Sequence, residues 1–277
     1  MITVKTIGGL ANRMMSIYSA VAYSQKIHQE LNIIWNRDLL LNAAFSDLFN
    51  PIHNVKIIEN GLYLSGIYNK IRKLVPGAYT AFLHVKHKKV MFYNEVERIR
   101  SQYNPTSDYF DQLKNSPSLF IENCHFFYPP LSKKNILTPN DFVSNEVKSV
   151  TEKFTESTIG IHIRRTDLKE SILHSPLALF IGAMQEESQK NPNTTFFVAT
   201  DDPTIYDELD HQFKNKIIKY EGMGGRNTVQ GIQTALVDMM CLSKTQKIYG
   251  SFASTFSQMA SFINEVPLVI LDRYKVH

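Results

Sequence analysis

A chain of 277 residues, 43% of them hydrophobic, can fill one large α/β domain or two smaller ones, which excludes disorder on this scale. Its 30 Lys and Arg against 26 Asp and Glu leave a formal charge of +4, too mild for wrapping a nucleic acid by counterion release and better suited to a basic cleft for an anionic ligand. Cys124 and Cys241 lack CxxC spacing, so neither a disulfide framework nor a zinc ribbon is expected, and a reduced cytoplasmic protein is.

Met1 to Gly9 has none of the basic, apolar and cleavage regions of an export leader. No stretch approaches the roughly 18 apolar residues of a membrane-spanning helix, so any membrane contact is expected to be peripheral. Thr3 to Ile7 alternates like a strand, Gly8-Gly9 punctuates it, and Ala11 to Ile27 places Met14, Ile17, Tyr18, Val21 and Ala22 at helical spacing. Glu30 to Trp35 is the next strand, parallel to the first if the unit is β-α-β. From about Asn50 to Asn145 aromatic and basic residues mix without steady period, and Pro51, Pro76, Pro105 and Pro117 interrupt them, so only Ser118 to Asn123 is assigned as a strand. A helix from about Pro139 to Phe154 is expected to bridge the halves.

Beyond Ser157 the alternation is regular. Strands at 159–163, 195–199, 216–220, 247–249 and 268–271 are separated by helices at 177–189, 203–213, 230–243 and 255–263. This pattern predicts a doubly wound parallel sheet. The expected division is 1–150 for an N-terminal Rossmann-like domain on the acceptor side and 151–277 for a C-terminal Rossmann-like domain that holds a nucleotide. Two such α/β domains facing one another across a cleft form the architecture called GT-B.

His162-Ile163-Arg164-Arg165-Thr166-Asp167 sets two arginines where a predicted strand ends, the edge at which open α/β sheets bind ligands. A planar guanidinium can fork onto two phosphate oxygens, which suits a diphosphate better than a lysine's point charge does. An isolated Arg-Arg pair is otherwise an ordinary solvated feature. Asp201-Asp202-Pro203 reads first as a turn and helix cap. His84 and His87 are three apart but have lysine neighbours and no acidic partner, so metal ligation is not expected.

The segment from His162 to Asp167 resembles the HxRRxD motif of the fucosyltransferase superfamily, which includes α1,2-, nodulation-type α1,6- and protein O-fucosyltransferases. Other segments match in the same order. Gly8-Gly9-Leu10-Ala11-Asn12-Arg13 resembles a GGLGNR opening, Ala199-Thr200-Asp201-Asp202 an ATDD strand end, and Gly250-Ser251-Phe252-Ala253-Ser254-Thr255-Phe256 a small-residue SSF loop. Asp238 falls where the family has an acid near the nucleotide base. The resemblance implies a GT-B fold and metal-independent, inverting transfer from GDP-fucose to an oligosaccharide or lipid-linked glycan, with no other cofactor.

It further implies that His162 and Asp238 meet the guanosine, and that Arg164, with Arg165 beside it, meets the diphosphate. Ser254, Thr255 and Phe256 then belong to the donor loop, Gly9 to the donor side of the opening motif, and Asn12 to the reacting centre. Ala11 and Ala253 depart from the pattern. Glu170 and His174, just past the motif, are the nearest candidates for a base. Linkage stays open, since the opening motif leans to α1,2 and the ATDD segment to α1,6. Another nucleotide sugar on the same scaffold, or a non-catalytic GDP-sugar-binding protein, are the competing readings. A bacterial-type cytoplasmic enzyme of surface polysaccharide synthesis is the expected setting.

Overall fold

Ile2–Thr6 (β1) is buried at every position, as a strand covered on both faces by helices must be. The strand pairs in parallel with Leu31–Trp35 (β2) on one side and Leu119–Asn123 (β5) on the other, with Ile2 opposite Leu31 and Leu119. Val55–Glu59 (β3) and Lys89–Met91 (β4) complete a five-stranded sheet of order β3-β2-β1-β5-β4. Leu10–Ile27 (α1), Pro76–Lys86 (α2), Tyr93–Gln102 (α3) and Ser107–Gln112 (α4) accompany it. Tyr79, Leu83 and Phe120 are in one cluster of its core, and Trp35 meets Phe45 and Phe49 edge to face.

The second sheet comprises Thr158–Ile163 (β6), Thr195–Thr200 (β7), Ile217–Ile218 (β8), Ile248–Ser251 (β9) and Leu268–Leu271 (β10), all parallel, in the order β10-β9-β6-β7-β8. Its helices are Asp141–Thr151 (α5), Lys169–His174 (α6), Leu177–Lys190 (α7), Thr204–Gln212 (α8), Val229–Leu242 (α9) and Thr255–Asn264 (α10). Ile161, Phe180, Met184, Phe196, Val198 and Leu209 are at the centre of its core.

These coordinates come from a computed structural model that describes residues 1–59, 76–130, 136–222, 224–225 and 227–275. They divide into two compact units, Met1–Asn140 with Arg226–Ile232, and Asp141–Gly225 with Gln233–His277. The helix expected as a bridge therefore groups with the second unit. Each unit is a Rossmann-like parallel sheet, as the alternation of elements implied. Among the described residues no helix is long and apolar enough to cross a membrane.

The unassigned middle of the first half holds β3, α2, β4, α3 and α4. Their patterns are weak for physical reasons. β4 has three residues, β3 is a partly exposed edge strand, and α3 buries only Val96 and Ile99 among charged neighbours. His84 is exposed on α2, whereas His87 is buried with its ring 5.6 Å from Phe120 and its Nδ1 2.9 Å from Ser118 Oγ.

Candidate functional site

β6 is flanked by β7 on one side and β9 on the other, and the chain order reverses there. Open α/β sheets bind ligands beyond the carboxyl ends of strands at such a point. His162, in register with Ala199 of β7 and Gly250 of β9, sits at that edge. Its ring is buried and stacks on Phe256, with centroids 4.7 Å apart and planes at 19°. Burial, reinforced by the Arg164 charge, pushes the imidazole down to about 3, so it is neutral at physiological pH. Its Nδ1 is sealed from solvent with no hydrogen-bond partner among the described residues.

The next residues are held by the sheet's other strand ends. Arg164 donates its backbone N–H to Ser251 Oγ at 3.0 Å, and that hydroxyl donates in turn to the His162 carbonyl at 3.3 Å. The Arg164 guanidinium forks onto Asp167, with Nε to Oδ1 at 2.9 Å and Nη2 to Oδ2 at 2.8 Å. Arg165 instead turns into the protein, where its Nη2 donates to the Ser175 carbonyl at 2.9 Å. The two arginines are thus not equivalent: one presents a preformed fork at the sheet edge and the other ties down the loop.

Asp201, at the end of β7, clamps this loop by accepting from the Arg165 N–H at 2.6 Å and from the Thr166 N–H and hydroxyl at 3.3 and 2.7 Å. Asp202 accepts from the Thr204 N–H and hydroxyl at 3.0 and 2.7 Å, the capping expected of this pair. The clamp role of Asp201 was not read from the sequence, and neither was the Ser251 bridge. Both are small polar groups at predicted strand ends, which is the signal that could have found them.

The turn from β9 into α10 brings the second motif to the same edge. A Cβ on Gly250 would lie 2.6 Å from Ser257 Oγ, so only glycine lets α10 approach β9 this closely. Ala253 takes a left-handed backbone at φ 54°, and Ser254 then caps α10 with a side chain that makes no capping bond. Ser254 is 2% exposed, and its Oγ is buried without a partner among the described residues. Thr255 and Phe256 follow in the first turn, where the helix dipole favours an anion.

Asp238 lies on α9. The residue keeps some exposed surface, yet its Oδ1 is sealed and unpartnered, and burial pushes the carboxyl well above the usual carboxylate range. Its field also helps to raise the hydroxyls of Tyr206 and Tyr220, the latter to about 12, which places both rings near it. Among the other residues singled out from the sequence, Glu170 is exposed on α6. His174 faces the chain's last strand, bonded through Nδ1 to Asp272 at 3.0 Å and stacked on Phe252 at 4.0 Å.

In the first unit Gly8 adopts φ 85°, a left-handed conformation suited to glycine, and Gly9 is the N-cap of α1. Asn12 donates through Nδ2 to the Cys124 carbonyl at 2.9 Å, joining α1 to the end of β5. Ala11 is buried inside α1, where an alanine is the better helix former. Arg13 is fully buried; it donates to the carbonyls of Gly8 at 2.8 Å and of Asn36, pairs with Asp38 at 2.7 Å and lies 5.2 Å from the Trp35 ring.

The sequence matches no protein-family model, and no curated protein matches it. Solved structures do share the fold. NodZ α-1,6-fucosyltransferase soaked with GDP-fucose superposes with a TM-score of 0.64 at 18% identity, over 97% of this chain and 94% of that one. An Arabidopsis thaliana FUT1 variant in complex with GDP gives 0.61 at 16%, over 99% and 70%. POFUT1 in complex with GDP-fucose gives 0.56 at 12%, over 98% and 97%. The fold is therefore the two-Rossmann GT-B class that these fucosyltransferase structures adopt.

Proposed function

We propose that this chain is a metal-independent, inverting glycosyltransferase that moves fucose from GDP-fucose to a hydroxyl of an oligosaccharide or lipid-linked glycan. The observation that carries this reading is a set of three buried polar atoms with no partner among the described residues: His162 Nδ1, Ser254 Oγ and Asp238 Oδ1. A buried polar group left unpaired costs about 1 to 3 kcal/mol, and in a folded protein a bound ligand can offset that cost. Each atom suits one part of a guanosine diphosphate. Asp238 can accept from the guanine N1 and N2 donors. Ser254 and the amides that open α10 can donate to phosphate, and His162 can hydrogen-bond the guanosine.

Arg164 supplies the charge for catalysis. As the bond between the fucose anomeric carbon and the β-phosphate oxygen breaks, negative charge grows on GDP, and the guanidinium held by Asp167 stabilises it without reorganising. The acceptor oxygen bonds to the opposite face of that carbon, which inverts it. Asn12, at the matching edge of the first sheet, has the reacting-centre role that the motif implies. Gly9 belongs to the same turn.

A thermal-shift screen tests the donor. GDP and GDP-fucose are expected to raise the melting temperature and UDP and ADP are not, with turnover of GDP-fucose unchanged by EDTA. A uridine preference, or activity lost in EDTA and restored by Mg²⁺ or Mn²⁺, would refute the reading. GDP-fucose offered with a glycan array assigns the acceptor and decides between α1,2 and α1,6 linkage.

Asp238→Asn separates ligand binding from architecture. A carboxyl whose folded pKa is raised above its unfolded value favours the folded state at low pH and loses that contribution as pH rises through the raised value. At neutral pH the ligand-free Asn variant should therefore melt no earlier than the parent. It should nonetheless bind GDP more weakly, because an amide accepts through only one oxygen. A variant that binds GDP normally and melts earlier would make Asp238 a structural residue.

A further inference from the structure

The second unit has a pocket of about 520 Å³ that the donor reading does not use, a volume in the range of small-molecule sites. It opens between the last turns of α7 and the segment that joins α8 to β8, so every residue around it belongs to that one unit. Those helix ends lie at the amino edge of the sheet, whereas His162, Arg164 and Asp201 stand at the carboxyl ends of β6 and β7. The two places are separated by the length of β7, roughly 20 Å for a strand of six residues.

One wall is helical. Gln185, Ser188 and Gln189 line the pocket from α7, at the spacing of a single helix face. Glu187 is off that face, and its carboxylate is taken up by the Tyr249 hydroxyl at 2.8 Å and by Lys247 at 3.0 Å. The other wall is formed by His211, Lys214 and Lys216, with Phe213 among them. Phe213 is anchored in the core 5.6 Å from the Phe196 ring, and Asn215 turns the chain through a left-handed backbone at φ 61°. The Lys216 carbonyl then accepts from the Phe196 amide at 2.8 Å. Both lysines thus leave from a backbone fixed at each end, which lowers the ordering cost of binding.

No Asp or Glu lines the pocket. Among the described residues, none of its polar side chains has a hydrogen bond or ion pair, and the Ser188 hydroxyl is sealed from bulk solvent as well. Basic residues beside a helix C-terminus are ordinary, since they offset its dipole. That accounts for His211 on the last turn of α8. It does not account for Lys214 and Lys216, which lie beyond the helix, or for the amides that face them across the pocket.

We propose that this pocket binds an acidic sugar, a saccharide that carries a phosphate or carboxylate group. The anion meets Lys214 and Lys216 through charge-assisted hydrogen bonds, and the amides of Gln185 and Gln189 both donate to and accept from sugar hydroxyls. Phe213 supplies the apolar surface for the ring's C–H groups. A neutral sugar leaves the lysine pair without a counter-charge, and a bare anion leaves the amides unused. The pocket is a holding site at which no bond is made or broken, and its reading does not depend on the identity of the sugar donor.

The test is isothermal titration calorimetry of the full chain with glucose 6-phosphate, glucuronate, glucose and inorganic phosphate, each with and without saturating GDP. Glucose 6-phosphate or glucuronate should bind with millimolar affinity or better, and whichever binds more tightly names the anion. Glucose and inorganic phosphate should each bind about tenfold more weakly or not at all. GDP should leave the affinity unchanged, because its proposed site is at the other edge of the sheet. Replacing both lysines, Lys214→Gln with Lys216→Gln, should weaken the acidic sugar by about tenfold or more, with melting temperature and GDP affinity as in the parent. Gln185→Ala, on the opposite wall, should weaken it by a few-fold. No heat from either acidic sugar, an affinity unchanged by the lysine replacements, or competition by GDP would overturn the proposal. Inorganic phosphate that binds as tightly as the sugar phosphate would overturn it too, as the mark of an adventitious ion only. A chain that never consumes GDP-fucose removes the transfer reading and leaves this titration as it stands.

Discussion

Arg164→Lys is expected to slow fucose transfer by roughly 100- to 1,000-fold, about 3 to 4 kcal/mol of lost transition-state stabilisation, while weakening GDP binding far less. Lysine keeps the charge and loses the fork. In the protein the fork is already aligned, because Asp167 holds Nε and Nη2 together at 2.9 and 2.8 Å and the backbone of Arg164 is fixed by Ser251. A lysine ammonium is a single mobile point of charge with no such alignment, so it cannot hold two oxygens of a departing diphosphate in one geometry. Arg165→Lys is the internal control. Arg165 donates to the Ser175 carbonyl and stays inside the loop, so its replacement should lower melting temperature and loosen the loop with a smaller effect on the chemical step. Rates for both variants, set beside GDP affinity and melting temperature, decide the matter. Near-parental turnover of Arg164→Lys would make Arg164 a mere partner of Asp167.

Arg13→Ala should cost about 3 to 5 kcal/mol of stability and lower the melting temperature by roughly 10 °C, the largest loss expected from a single residue of the opening motif. Arg13 is fully buried and threads between the carbonyls of Gly8 and Asn36, against the Trp35 ring. Truncation leaves those carbonyls unpaired and a cavity beside an aromatic cluster. Its ion pair adds less, because Asp38 is 44% exposed on its side chain and water screens it. GDP affinity of the surviving folded fraction should fall little, since the proposed donor residues other than Gly9 belong to the second unit. A urea titration read at Trp35, the only tryptophan, reports the loss directly. A midpoint shift equivalent to less than about 1 kcal/mol would show that the motif's arginine is kept for something other than packing.

The second half was legible because its physics is regular. β6 and β7 are fully or almost fully buried parallel strands that read as apolar runs, and the helices between them alternate at lengths that leave no second parse. The first half was legible in its central strands, β1, β2 and β5, and in the helix α1. Its edge strands β3 and β4 are short or half-exposed, so their composition does not differ from that of a loop, and α3 offers a two-residue apolar face. Site residues followed the same logic. His162, Arg164, Ser254 and Asp238 were found through motif resemblance, and three of the four expose a feature no sequence displays, a buried polar atom with nothing to bond. Asp201 escaped notice because an Asp-Asp-Pro run reads first as a cap. His174, chosen for its nearness in sequence, is held instead by Asp272, a residue 98 positions away.

The Ser251 hydroxyl links two segments that a sequence presents as separate. It accepts from the amide of Arg164 and donates to the carbonyl of His162, joining the arginine motif to the loop that follows β9 across 87 positions. Substitutions on either side of that hydroxyl should therefore be epistatic, with the effect of a change near Arg164 depending on whether residue 251 can still bridge, while distant pairs add independently. Drift in one motif would be tolerated only with a matching change in the other. In evolutionary terms the two segments form a single inherited character.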